Sequence, residues 1–168
     1  VLRSPFNSLG GEGRVLAQFG SEPALLAEFY QPLDVRGRYF TGVRASYTSE
    51  LLGQFDSSGN RVAVYDVPTY AANVYAGREF GNYGAATVLY RRAAGKTEVV
   101  TGDPSEPESS FQIGETSVNL VLDRLDSSYL PRDGSYLNVG MLFSREGMGA
   151  DANFDQFNFD TVYAKLSG

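Results

Sequence analysis

The chain has 168 residues and a net charge of −6, with 11 Tyr, 11 Phe and 19 Gly but no Cys, His or Trp. That length fits one ordinary domain, and the missing residue types remove disulfide frameworks, thiolate nucleophiles, Cys-ligated zinc and histidine acid–base chemistry. Scattered arginines, with Lys96 and Lys165 as the sole lysines, lack the clustered positive charge that nucleic acids require.

The start at Val1, without Met or a signal-like run, reads as a processed or excised piece, and a leader is expected over 1–12. No stretch approaches the roughly 18 apolar residues of a membrane helix, so a helical span is excluded; a β-barrel is not, because alternating strands average out in hydropathy. Period-2 alternation then predicts eight strands in chain order. The first two, 13–20 and 24–31, form a hairpin about "SEP". The third, 39–55, sets Tyr39, Val43, Tyr47 and Phe55 on one face against Arg44 and Glu50 on the other. The fourth, 61–80, pairs with it across "DSSGN", provided that Pro68 sits at a bulge or bend. After "GNYG" come 85–94, then the acidic, Pro-containing "GDPSEPESS", then 111–123. The seventh strand, 135–145, follows the turn "LPRDG", and the eighth is 154–166. The expected fold is all-β, an antiparallel up-and-down meander of eight strands forming one unit.

Such a meander closes with its apolar face inward, as in soluble lipocalin-like barrels, or outward, as in membrane barrels. A soluble barrel predicts a cavity lined by Val43, Val74, Leu120 and Phe159. The polar face carries Arg14, Glu28, Arg44, Glu50, Glu79, Arg91, Glu115, Asp123 and Asp160 among Gly, Ser, Thr and Asn. Mixed signs among small residues suit a crowded lumen in which charges pair, and several strands exceed the roughly 9–11 residues that span an outer membrane. This favours a transmembrane β-barrel. Its lipid-facing and girdle residues are then Tyr39, Val43, Tyr47, Phe55, Val74, Leu120, Val139, Phe143, Phe157, Phe159 and Tyr163. Asp126, Pro131, Asp133 and Gly134 are assigned to the structural turn before the seventh strand, because Asp-Gly between alternating runs is a hairpin signal.

Chemistry has little to stand on. No Ser has Gly two residues before it, so a Gly-x-Ser-x-Gly elbow is lacking. Asp133 as a dyad aspartate and the strand carboxylates as glycosidase-type pairs are outweighed by turn and ion-pair roles. Calcium at "DPSEPESS" or "GADANFDQFNFD" lacks the loop spacing such sites use. The chain is expected to be no enzyme and to take no cofactor or metal.

"LDRLDSSYLPRDGSYLNVG" resembles the strand end and turn of the superfamily of outer-membrane assembly and two-partner secretion barrels. "GGEGRVLAQFG", "LLAEFYQPLD" and "RYF" resemble more specifically the start of the barrel in patatin-like phospholipase autotransporters, type Vd. The resemblance implies a place in the bacterial outer membrane, lipid or detergent as the immediate partner, and a parent in which a lipase and a POTRA domain precede sixteen strands. "VRG" at Val35 to Gly37 matches a lid-loop tripeptide of that family by coincidence, since it lies in an early turn. Eight strands look like the N-terminal half of such a barrel, excised or engineered. The half would close on itself by pairing Phe154–Leu166 with Gly13–Gly20, or self-associate with a second copy into a sixteen-stranded ring.

Overall fold

The alternating stretches form strands in a computed structural model, which describes residues 1–3, 5–102, 108–127 and 129–166. The strands are β1 (Leu2–Arg3), β2 (Glu12–Gln18), β3 (Ala24–Pro32), β4 (Tyr39–Phe55), β5 (Arg61–Glu79), β6 (Gly84–Lys96), β7 (Glu98–Thr101), β8 (Ser110–Asp123), β9 (Asp133–Ser144) and β10 (Phe154–Lys165). All ten belong to one antiparallel sheet in the order β1-β2-β3-β4-β5-β6-β8-β9-β10, with β7 beside β5. Among the described residues the helical content is a single 3-10 turn, Glu146–Met148.

Two strands were not expected. β1 lies within the stretch read as a leader. β7 prolongs β6 along β5 in the same register, Thr69 opposite Gly95 and Asp66 opposite Glu98, with a break at Thr97. That break explains Pro68, for which the sequence suggested a bulge or bend. Pro68 faces Ser49 across an unshifted β4–β5 register, and the Ser49 N–H donates to Pro23 O on the far side. The Pro68 nitrogen therefore points toward the β6–β7 side, where the ladder already lapses and the missing donor matters least.

Closure of the chain on itself, one of the two alternatives, is absent among the described residues. β10 pairs with β9 alone and its side chains are exposed along the whole strand except at half-buried Ala164. The edge of β2 that a closing strand would need is partly taken by the chain's own start: Leu2 and Arg3 pair with Arg14 and Gly13, and the Val1 ammonium donates to Val15 O at 2.6 Å. Phe6 then folds onto Phe29, with ring centroids 5.8 Å apart. Within the described residues the sheet is open.

The reversal before β9 is longer than a Pro-x-x-Gly turn. Asp133 and Gly134 are the first residues of β9, opposite Lys165 and Ala164, and the chain reverses over 124–132. Gly134 has a φ of 112°, a backbone that suits glycine. The carboxylate of Asp126 closes this segment by accepting the N–H groups of Arg132 at 2.8 Å and Asp133 at 3.1 Å. Asp34 and Asp56 close the turns after β3 and β4 in the same way, accepting Arg38 N–H at 2.7 Å and Asn60 N–H at 2.8 Å. Each of the three carboxyls is held below its ordinary value. For Asp34 the Arg38 guanidinium bond is the largest cause, for Asp56 the Asn60 N–H, and for Asp126 the Arg132 N–H.

Candidate functional site

Because strand side chains alternate, the register decides which residues share a face. One row runs across seven strands on the polar face: Arg14, Glu28, Arg44, Asn73, Arg91, Glu115 and Ser144 are successive cross-strand partners. Glu28 is the hub. Its Oε2 accepts Arg14 Nη2 at 2.7 Å, and its Oε1 accepts Arg44 Nη2 at 2.6 Å, Arg44 Nε at 3.0 Å and the Tyr75 hydroxyl at 3.1 Å. Further along, Arg91 Nη1 lies 3.3 Å from Glu115 Oε1. The side chains of Glu28 and Glu115 are only 11% and 13% exposed, so the acids lie under the arginines that neutralise them. Opposite charges facing each other across strands stabilise a sheet by about 0.2–1 kcal/mol a pair.

Of the nine residues expected in this network, Arg14, Glu28, Arg44, Arg91 and Glu115 are brought together. Glu50, Glu79, Asp123 and Asp160 share the face but stand opposite Val67, Ala85, Tyr136 and Asn138, and none joins an ion pair among the described residues. The register is the reason: several residues up or down their strands from the row, each faces an uncharged cross-strand partner.

Sequence reading missed Tyr75 and Phe40, which shape the same face. Tyr75 lies directly over Gly42 and Phe40 over Gly77, each aromatic covering the glycine opposite it, and a Cβ at either glycine would collide with the ring. A glycine within a strand weakens it by about 0.5–1 kcal/mol relative to Ala, and here it admits a ring where any side chain would block it. Phe40 is 7% exposed and also meets Tyr30, with ring centroids 5.6 Å apart. The legible signal was an aromatic two residues before a glycine in each of the two strands, Phe40 with Gly42 and Tyr75 with Gly77.

Apart from Phe55, which lies past a shift in the β4–β5 register, every residue expected to face lipid lies on the opposite face by register, within one set that joins Tyr47 to Tyr70, Val43 to Val74, Leu120 to Val139 and Val139 to Phe159. This is the exposed side. Val43 and Val74 are 50% and 54% exposed, Phe157 62% and Tyr163 75%. Tyr39, Phe55 and Phe159 are exposed as well, while Tyr47, Leu120, Val139 and Phe143 are half-buried. A soluble barrel would enclose Val43, Val74, Leu120 and Phe159. Instead Val43 and Val74 line an open apolar groove of about 550 Å³ with Phe6 and Phe29, and Leu120 and Phe159 do not reach it.

A few charges fall on the apolar face by register, Asp66 opposite Leu51, Arg78 opposite Tyr39 and Asp155 opposite Phe143, and Arg92 is among them. Arg92 is covered by the segment 145–153, donating to Ile113 O at 3.1 Å and also to Gly149 O and Gln112 Oε1. In the same segment Asp151 accepts Gln112 N–H at 2.6 Å and Arg145 pairs with Asp155 of β10, so these acids are engaged with protein. The other acidic stretch falls mainly on 103–107, outside the described residues. Among the described residues no cluster of three or more potential metal ligands occurs.

The arrangement is thus a sheet whose charged face is covered by its own side chains around Glu28 and Glu115, with Glu50, Asp123 and Asp160 exposed farther out, and whose apolar face is largely open. A family model described as the Omp85 superfamily domain matches residues 10–167. No curated protein matches the chain.

Proposed function

The chain belongs to the Omp85 superfamily, and from that premise we propose that its sheet is part of the wall of a β-barrel in the bacterial outer membrane, apolar face to lipid and charged face to the lumen. The observation that carries this reading is the inverted exposure of the two faces: the register gathers the apolar side chains on a side that Phe6 and the segment 145–153 cover only in part and that is otherwise open. Lipid can cover such a face at no cost, whereas water would leave a large apolar patch exposed. β4 and β5, at 17 and 19 residues, are longer than a span needs, so their hairpin stands beyond the bilayer.

More specifically, the unit serves as an anchor and translocator segment resembling half of a patatin-type autotransporter barrel, and in the parent it helps to export or display the lipase. Support for this is confined to the stretches of sequence already named, over Gly10–Phe40. The reading gives the chain itself no catalytic step. Open edges at β2 and β10 in lipid would leave backbone groups unsatisfied at several kcal/mol each, so further strands complete the ring. A second copy of the chain supplies them, joining two sets of eight long strands into sixteen.

Heat modifiability tests the proposal. The chain, refolded into detergent or lipid vesicles, is run on SDS gels with and without boiling. A folded membrane barrel resists SDS and shifts on boiling, and the unboiled band at the size of two chains marks the ring. A protein that stays soluble and monodisperse without detergent and shows no shift overturns the membrane reading.

A further inference from the structure

At the end of the sheet that carries the 33–38, 80–83 and 124–132 connections, arginines lie over aromatic rings. Arg78 stands 5.5 Å from the ring centroids of both Tyr39 and Phe80, and Arg124 stands 4.7 Å from that of Tyr83. Phe80 and Tyr83 stack on each other, with centroids 6.4 Å apart and planes 20° apart. The result is a continuous platform, Arg78–Phe80–Tyr83–Arg124, with Tyr39 beside it. Arg78 and Tyr39 are register partners on the apolar face, at its border, and both arginines are exposed. Arg38 is also near Tyr39, but its guanidinium is committed to Asp34 at 2.8 Å. The ion pairs among the described residues involve Arg14, Arg38, Arg44, Arg91, Lys96 and Arg145, and leave Arg78 and Arg124 out.

We infer that this platform binds the phosphate of an anionic phospholipid headgroup. The inference rests on the membrane reading and goes beyond it by assigning a lipid site. Three features support it. The rings are amphipathic surfaces suited to the headgroup level, where aromatic belts sit. Each guanidinium lies over a ring, Arg78 at 5.5 Å and Arg124 at 4.7 Å from the centroid, and neither is engaged in an ion pair among the described residues, so its N–H fork is left for phosphate oxygens, whose geometry it matches. The apolar face begins directly beside it at Tyr39 and Ala76, so acyl chains and headgroup are met in the right order. At the opposite end Arg145 also lies over a ring, 5.6 Å from the centroid of Phe143, but its guanidinium is committed to Asp155, and the described residues there include the exposed acids Glu22, Asp56, Glu108 and Glu146.

The test uses the refolded chain in phosphatidylcholine vesicles carrying trace spin-labelled phosphatidylglycerol or spin-labelled phosphatidylcholine, and reads the ratio of the two labels immobilised at the protein surface. The chain is expected to prefer the anionic label, and R78Q/R124Q to lose that preference by about fivefold per arginine, the factor for one surface cation near an anionic membrane. R36Q/R132Q removes the same charge from the same end without touching a ring, and is expected to keep most of the preference. R78Q and R124Q singly, each intermediate, serve where the double variant does not fold. Equal immobilisation of both labels, or equal loss in the two double variants, overturns the site while leaving the membrane reading intact. A chain that never yields an SDS-resistant, vesicle-inserted form overturns the membrane reading, and this site with it.

Discussion

Neighbouring residues of β5 live in different surroundings. From Tyr70 to Glu79 exposure alternates without a break, with Tyr70, Ala72, Val74, Ala76 and Arg78 open and Ala71, Asn73, Tyr75, Gly77 and Glu79 half-covered. In a sheet of a soluble protein the apolar set would be the covered one. Here the polar set is covered, and by other polar or aromatic groups: Glu28 by arginines, Gly42 by Tyr75, Gly77 by Phe40. The contrast teaches that along this stretch of β5 the sheet places its specific contacts on the charged side and leaves the apolar side smooth. On that side uniform apolarity matters, and individual fit matters little.

The largest effect should follow from violating the apolar side. Val118 and Ser117 are consecutive in β8, the first 45% exposed on the apolar face and the second half-covered on the polar face. V118R is expected to cost about 2–4 kcal/mol, the range for a basic residue on the lipid face near mid-depth, and to abolish the heat-modifiable band. S117R, close to Glu115 on the polar face, is expected to fold with little change. Equal yields of folded protein from the two would erase the distinction between the faces.

A smaller effect should come from unpicking the polar side. E28A leaves Arg14 and Arg44 facing each other without their shared acceptor and strands the Tyr75 hydroxyl. The expected loss is about 1–3 kcal/mol, read as a lower urea midpoint in detergent. E28Q keeps an acceptor oxygen and should fall between. An unchanged midpoint for E28A would mean that the row is decorative and that only the apolar side holds the sheet in place.

The smallest effect concerns the turns, which belong to neither face. Asp34, Asp56 and Asp126 have carboxyls held below the ordinary 3.8. A group depressed by folding stabilises the folded state above its unfolded value and loses that contribution as pH falls through the folded one. Stability is therefore expected to be flat from neutral pH down to about 4 and to decline below it. D126N, which cannot titrate, should flatten part of that decline. A D126N profile that overlays the parent's would remove Asp126 from the account.

How legible this was depends on the interaction. Alternation located Tyr39–Phe55, Ser110–Asp123 and Phe154–Lys165 to within a residue or so, because a two-residue period is a local property of the chain. It missed β1 and β7, which are short and exist only because β2 and β5 present an edge to them. Asp133–Gly134 carried a hairpin signature, yet the turn formed upstream, where Asp126 captures two N–H groups across seven residues. The charged row was legible as a set, but which members pair was not, since pairing needs the register between strands. That register left Glu50, Glu79, Asp123 and Asp160 outside.

By itself the sequence determined that this protein is an antiparallel meander with one apolar and one charged face, since side-chain parity along a strand needs no knowledge of any other strand. Which face is open, that Glu28 rather than another acid is the hub, that Arg78 and Arg124 end on a shared aromatic platform, and that β10 does not reach β2 were decided by the tertiary structure. Each depends on distances between strands remote in sequence, set by how the sheet curves and by what the first residues of the chain already occupy.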